Sequence, residues 1–326
     1  MRKLFKLCAV VTLAALCTHC GNNRPKNEAK PATAEQKVAE NSIYHWKSTF
    51  ELDSLELDFI KRHNISRIYT KMFDIAVEHS FVSSTLEPVP IATTQFVSLV
   101  PEGVEIVPVV YITIEALKSM VNREAEYAEL IVERIVAMCN YNNLGAIHEI
   151  QFDCDWTEST IKSYVQLCSK ASNILDKRDI DLSITLRLHQ LAGDVPKVDR
   201  AVLMLYNTGA LKNPKTRNSI LDIVTVKPYV KRVEFPYPLD YAYPAFGWGV
   251  KFKDGKFQAI VSENESVVAK DETIRKERPT AEDILKVKRL VESVVGKPDR
   301  GSIIYHLDNS QLKNYDDDEI AKIFAY

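Results

Sequence analysis

Asp153 and Asp155 stand two residues apart at the end of the run Ile147 to Trp156, I-H-E-I-Q-F-D-C-D-W. Side chains of a β-strand alternate between two faces. Split this way, the run puts Glu149, Gln151, Asp153 and Asp155 on one face and His148, Ile150, Phe152, Cys154 and Trp156 on the other. Ionised carboxylates are costly to bury, so the acidic face should look into water, a ligand or partner charges. Two carboxylates roughly 6.5 Å apart at the backbone tend to have their pKa values split, which suits an acid catalyst and its charged neighbour. The competing possibility is that both acids pair with inward-facing bases such as Arg187 and Lys71 and only close a barrel floor.

Further groups follow along the chain. Asp181 to His189 repeats the pattern, with Arg187 and His189 on the polar face, and Arg187 could clamp a carboxylate or a substrate oxygen. Tyr206 ends the next strand, Val198 to Asn207. The stretch from Phe235 to Trp248 is rich in aromatic residues and holds Asp240, Tyr241 and Trp248. Flat rings with polar tips are suited to stacking on sugars while acids bind hydroxyls. His306 and Asp308 close the set at the last strand, and Tyr44 and Trp46 could line the first. The substrate-binding candidates are therefore Glu149, Gln151, Arg187, His189, Tyr206, Asp240, Tyr241, Trp248 and His306. No metal-ligand spacing, no phosphate-cradling glycine loop and no serine-nucleophile elbow occurs, so neither a metal nor another cofactor is expected.

The elements that must hold these groups alternate. A strand at Ile43 to Trp46, a helix at Asp53 to His63 capped by Asp53, and a strand at Ser66 to Phe73 come first. Extended segments at Pro88 to Ser98 and Val104 to Thr113 precede a helix from Arg123 to Tyr141. After the acidic strand come a helix from Thr160 to Asp176, the two polar strands, a helical segment at Ser219 to Val230 and a strand at Arg232 to Phe235. An aromatic loop, a hairpin at Phe252 to Val261, a helix at Thr280 to Val295, a strand at Ser302 to Leu307 and a helix at Asp317 to Phe324 complete the order. This alternation predicts an α/β fold of the (β/α)8 TIM-barrel type, whose active sites lie at the C-terminal ends of the strands.

The chain has 326 residues, 46% of them hydrophobic, and a net charge of -2, with no basic stripe that would suit nucleic acid. Arg2, Lys3 and Lys6 precede an apolar run from Leu7 to Leu16, as in a secretory signal. With Cys20 at its end, the segment resembles a bacterial lipoprotein signal, which implies lipidation of Cys20 and a place in the bacterial cell envelope. The expected layout is a signal segment over 1–20, a disordered linker over 21–41 and one barrel domain over 42–326. The cysteines of the barrel domain, Cys139, Cys154 and Cys168, should be buried free thiols.

With these strands in order, the chain resembles glycoside-hydrolase-type barrels. By motif the resemblance is to the chitinase-type family, whose fourth strand ends in acids at alternate positions, the last a catalytic Glu. In Q-F-D-C-D, Asp155 would inherit the acid role and Asp153 the supporting role, while Thr157 stands where a further acid would come. The chain also resembles a bacterial barrel family with a Q-x-D-x-D strand followed by a tyrosine-bearing helix, here Gln151 to Tyr164, which implies the fold and no activity. The resemblance implies a monomeric lipoprotein acting on a glycan, or one that binds a glycan or serves as a structural protein without cleaving anything.

Overall fold

The computed structural model describes residues 40–79, 86–231, 234–266 and 269–325. The signal segment, Cys20 and most of the linker lie outside the described residues, as do Arg232 and Val233.

Among the described residues, eight parallel strands close into a barrel. They are β1 (Asn41–His45), β2 (Ile65–His79), β3 (Glu105–Ile112), β4 (Glu149–Cys154), β5 (Asp181–Leu186), β6 (Arg200–Met204), β7 (Leu239–Pro244) and β8 (Ser302–Tyr305). Each pairs in parallel with the next, and β1 closes the ring by pairing with both β2 and β8. Closure leaves no barrel edge, and it gives every strand an inner face and a helix-covered outer face. The expected fold class is the observed one.

The outer faces pack against helices whose ends are written in the sequence. Asp53 caps Ser54–Arg62 in a capping box with Glu56, and Thr280 does the same for Ala281–Val294 with Asp283. The second helix buries Ile284, Val287 and Val291. Each such side chain stabilises the fold by roughly 1.5–3 kcal/mol relative to exposure. Helix Ile161–Leu175 lies behind β4, where Tyr164 stacks on Trp156 at 4.8 Å and donates to the Phe152 carbonyl. Cys139, Cys154 and Cys168 are buried and unpaired.

Three expectations are corrected, and one is refined. The seventh strand is not Arg232–Phe235; Glu234 and Phe235 are irregular, and β7 is Leu239–Pro244, inside the stretch read as an aromatic loop. Its prolines masked it, yet all six residues are buried, as in a strand covered on both faces. Its outward tyrosines take the place of aliphatic residues. Tyr241 Oη donates to the Gly296 carbonyl at 2.7 Å, and the Lys288 ammonium lies 5.4 Å from the Tyr243 ring. Pro88–Ser98 is largely extended, as expected, but lies outside the barrel. Leu86–Ile91 pairs antiparallel with the extended end of β2, and Gln95–Phe96 pairs with Thr49–Phe50. The strand through Asp181 stops at Leu186, and Leu188–Gln190 form a 3₁₀ turn. The helix expected over Ser219–Val230 is a single turn, Ile223–Val226.

Between β7 and β8 sits a three-stranded antiparallel sheet, Trp248–Lys253, Lys256–Val261 and Glu272–Glu277. The hairpin expected over Phe252 to Val261 is formed by its first two strands, with the turn at Asp254-Gly255. Both residues have positive φ, +49° and +72°, which favours glycine and short polar side chains there.

Candidate functional site at the barrel mouth

The inner face of β4, continued by Asp155 just past its end, runs the full depth of the barrel, and the four polar residues on it meet different surroundings. At the N-terminal end, Glu149 is 1% exposed and accepts from Arg300 Nη1 at 2.6 Å. Arg200 Nη1 lies 3.0 Å from Asp240 and 3.1 Å from Asp299, and Arg67 pairs with Glu105 and Glu40. Asp240 Oδ1 also accepts from the backbone N–H groups of Arg300 and Gly301. These residues form an ionic floor at the end of the barrel opposite the expected active site. Glu149 and Asp240 therefore do not join the other candidates. One layer higher, Gln151 is fully buried; it accepts from Tyr44 Oη at 2.6 Å and donates to Ser183 Oγ at 3.3 Å.

Asp153 and Asp155 lie at the C-terminal end. Asp153 is 3% exposed, and its Oδ1 accepts from Thr185 Oγ1 at 2.5 Å and from Arg187 Nη2 at 3.4 Å. Arg187 Nε donates to Asp155 Oδ1, so one guanidinium bridges the two acids. Burial raises the Asp153 pKa, while Arg187 and then Thr185 pull the other way. Lys71 does not reach this pair; it binds Asp74 at 3.2 Å. Asp155 is 40% exposed at its side chain and faces a cleft of about 330 Å³. The cleft is lined by Asp155, Arg187, His189, Tyr206, Asn207, Thr208 and Tyr229, with Leu188 among them. Arg187 lies 5.8 Å from the centre of the Tyr206 ring.

Beside the acids, Tyr111 of β3 is in register with Asp153. Its hydroxyl pKa is pushed up to about 12, by burial first and then by Asp155 and Asp153. An aromatic cluster continues across the mouth. The Tyr305 ring centre lies 4.7 Å from Tyr206, 5.9 Å from Trp46 and 5.5 Å from Phe246, and Phe246 meets Trp248 edge-on at 5.4 Å.

The mouth thus gathers Asp153, Asp155, Arg187, His189 and Tyr206 from the sequence candidates. His189 reaches the cleft from the 3₁₀ turn and not by strand alternation. Trp248 stands behind Phe246 with its indole N–H donated to Glu277. Tyr241 faces outward behind β7, its hydroxyl on Gly296. His306 follows the end of β8, where burial lowers its pKa to about 4. Tyr111, Thr185, Asn207, Thr208 and Tyr229 were missed. Tyr111 and Thr185 had a usable signal, since both fall on the inner face by strict alternation from neighbours already assigned. The last three lie on loops with no period. Asn207 adopts a left-handed backbone (φ +55°), a conformation asparagine tolerates better than most residues. Among the described residues, no group of three or more His, Cys, Asp or Glu is placed to hold a metal ion.

No protein-family model matches the sequence, and no curated protein is similar to it in sequence. Solved structures do match. The Bacillus megaterium spore cortex-lytic enzyme SleL superposes with a TM-score of 0.55 at 13% identity, over 91% of this chain and 76% of that one. The Ostrinia furnacalis Group IV chitinase in complex with allosamidin gives 0.53 at 12%, over 88% and 98%. The GH18 chitinase ChiB of Flavobacterium johnsoniae gives 0.50 at 13%, over 83% and 89%. At such low identity the likeness establishes the fold alone. The chain shares with these structures a closed α/β barrel of eight parallel strands.

Proposed function

We propose that this chain is a lipid-anchored cell-envelope protein that binds a glycan at its barrel mouth, using the fold of a glycoside hydrolase to hold a sugar. The observation that carries this reading is the single guanidinium shared by both acids. Arg187 donates to Asp153 and to Asp155, the arrangement of carboxylates held as acceptors. A general acid must instead deliver a proton to a leaving oxygen. Thr157, where the chitinase-type pattern would carry a further acid, has its hydroxyl 2.9 Å from Ser159 Oγ. The exposed edge of Asp155, the ring of Tyr206 and the polar side chains of Asn207 and Thr208 make a wet cleft with a flat apolar wall, which suits sugar hydroxyls and ring faces. One of the matching chitinases holds allosamidin, which adds to the case for a glycan ligand.

A second reading is glycoside hydrolysis, with Asp155 as general acid and Asp153 as its partner. What favours it is placement: Asp155 opens onto the cleft, with a second carboxyl, Asp153, two residues behind it on the same face. A glycan panel assayed both by calorimetry and by release of reducing ends separates the readings. Binding without turnover, lost at least tenfold in Asp155→Asn, is expected. Turnover abolished by Asp155→Asn would establish the second reading. Turnover that survives it would remove Asp155 from the mechanism, and a panel with no binder would end both. The anchor is tested by metabolic labelling with a palmitate analogue in a bacterial host; label that persists in Cys20→Ser would place the lipid elsewhere.

A further inference from the structure

The three-stranded insertion ends on Glu277, whose side chain is fully buried and takes three of its four hydrogen bonds from outside its own strand. Glu277 Oε2 accepts from the Ser219 backbone N–H at 2.9 Å, from Ser219 Oγ and from Trp248 Nε1 at 2.9 Å. Its Oε1 accepts from Arg275 Nε. Arg275 in turn donates to the carbonyls of Asn213 and Leu211 at 2.7 and 3.0 Å.

Two routes lead from this carboxylate to one stretch of the mouth. Along the first, Ser219 and Ile220 accept from the backbone N–H groups of Gly209 and Thr208 at 3.1 and 3.3 Å, which fixes the chain just past Asn207. A Cβ on Gly209 would lie 2.9 Å from the Ser219 Cα, so the two loops are in direct backbone contact. Along the second, Trp248 packs on Phe246, and Phe246 meets the Tyr206 ring edge-on at 6.0 Å. Both routes end on Tyr206–Thr208, which line the cleft together with Asp155.

We propose that Glu277 is a positioning residue that holds the Tyr206–Thr208 wall from two sides, so that the insertion sets the shape of the mouth and hence which glycan it accepts. It touches no ligand itself. A buried carboxylate accepting four hydrogen bonds is costly to disturb, because each donor left behind loses its only acceptor in a dry setting. The link to ligand choice rests on the glycan-binding reading; the mechanical link does not.

Hydrogen exchange on the full-length protein tests the mechanical link. In Glu277→Ala, the amides of Thr208, Gly209 and Ser219 should exchange at least tenfold faster, while β4 stays at the wild-type rate. Glu277→Gln, which keeps an acceptor for Ser219 or Trp248, should recover to within about threefold. Ser219→Ala, which cuts one hydroxyl arm only, should loosen Thr208 and Gly209 and leave the backbone at Trp248 unchanged; it also serves if Glu277→Ala does not fold. Faster exchange confined to Glu272–Glu277 and its hairpin partners would overturn the proposal, as would a Gln variant no better than Ala. Retention of chitohexaose on the same proteins tests the link to ligand: a tenfold loss in the Ala variant with recovery in Gln is expected. If wild-type protein retains neither chitohexaose nor any panel glycan, the glycan reading fails, and the exchange rates still decide the role of Glu277.

Discussion

Replacing Arg187 with methionine removes the guanidinium and keeps most of the side-chain length. Asp153 is then a nearly sealed carboxyl with Thr185 as its remaining hydrogen-bond donor. Breaking a buried ion pair by removing one partner costs about 3–5 kcal/mol. The 3.4 Å contact from Arg187 to Asp153 is long, and Asp155 is 40% exposed, so the lower end of that range applies. A loss of about 3 kcal/mol should lower Tm by roughly 6 °C at neutral pH for a domain of this size. The loss must depend on pH in a set direction. Burial already raises the pKa of Asp153, and without the arginine it rises further. An acid whose folded pKa lies above its unfolded one binds more protons when folded, so stability falls as pH rises through that interval. Arg187→Met should therefore be penalised more at pH 8 than at pH 5, and the double variant with Asp153→Asn should recover part of the loss at pH 8. Calorimetric melting of the wild type and both variants at both pH values is the assay. A penalty equal at both pH values, or larger at pH 5, would show that Arg187 does not compensate a buried charge at Asp153.

Three other outcomes follow from the same geometry. His45 and His306 are held neutral, their pKa values lowered to about 3 and about 4 by burial first, with Lys47 adding to it and Asp308 opposing it at His306. Folding then binds fewer protons than unfolding below the ordinary histidine pKa of about 6.5, so stability present above that pH drains away as pH falls towards 4; His306 alone contributes on the order of 3 kcal/mol. His306→Asn should flatten the dependence of Tm on pH over that window, and an unchanged slope would exclude it. Glu149→Leu, which strands Arg300 at the floor, should cost about 3 kcal/mol of stability and leave glycan affinity unchanged, as measured by melting and calorimetry. Tyr229→Ala, at a half-exposed rim position, should change stability by no more than about 0.5 kcal/mol and weaken glycan binding several-fold.

The acidic strand was legible because a strand has a strict period of two, and that period correctly put Glu149, Gln151, Asp153 and Asp155 on one inward face. Period does not tell the two ends of a strand apart. Glu149 and Asp155 are six residues apart, about 20 Å along an extended chain, so one lies in a salt-bridged floor and the other at an open mouth. The partners that decide this, Arg300 just before β8 and Arg187 just after β5, come from elsewhere in the sequence. Asp240 was misread for the same reason: an acid in an aromatic, proline-bracketed stretch looks like a binding loop until β6 brings Arg200 beside it. The capped helices were readable because Asp53 and Thr280 act on their own next turn. The insertion was only half readable, since the hairpin turn is local while its third strand, Glu272–Glu277, pairs across a longer connection.

The charged floor and the Tyr44–Gln151–Ser183 layer above it also give the lumen one entrance. A polymer cannot pass through such a cylinder, so a long saccharide must lie across the rim or offer a terminus or a branch to it. On the proposed glycan reading, width along the rim, from His189 past Thr208 to Tyr229, then governs how many units can be gripped at once. Lengthening those loops would enlarge the grip without a change to any residue of the eight strands.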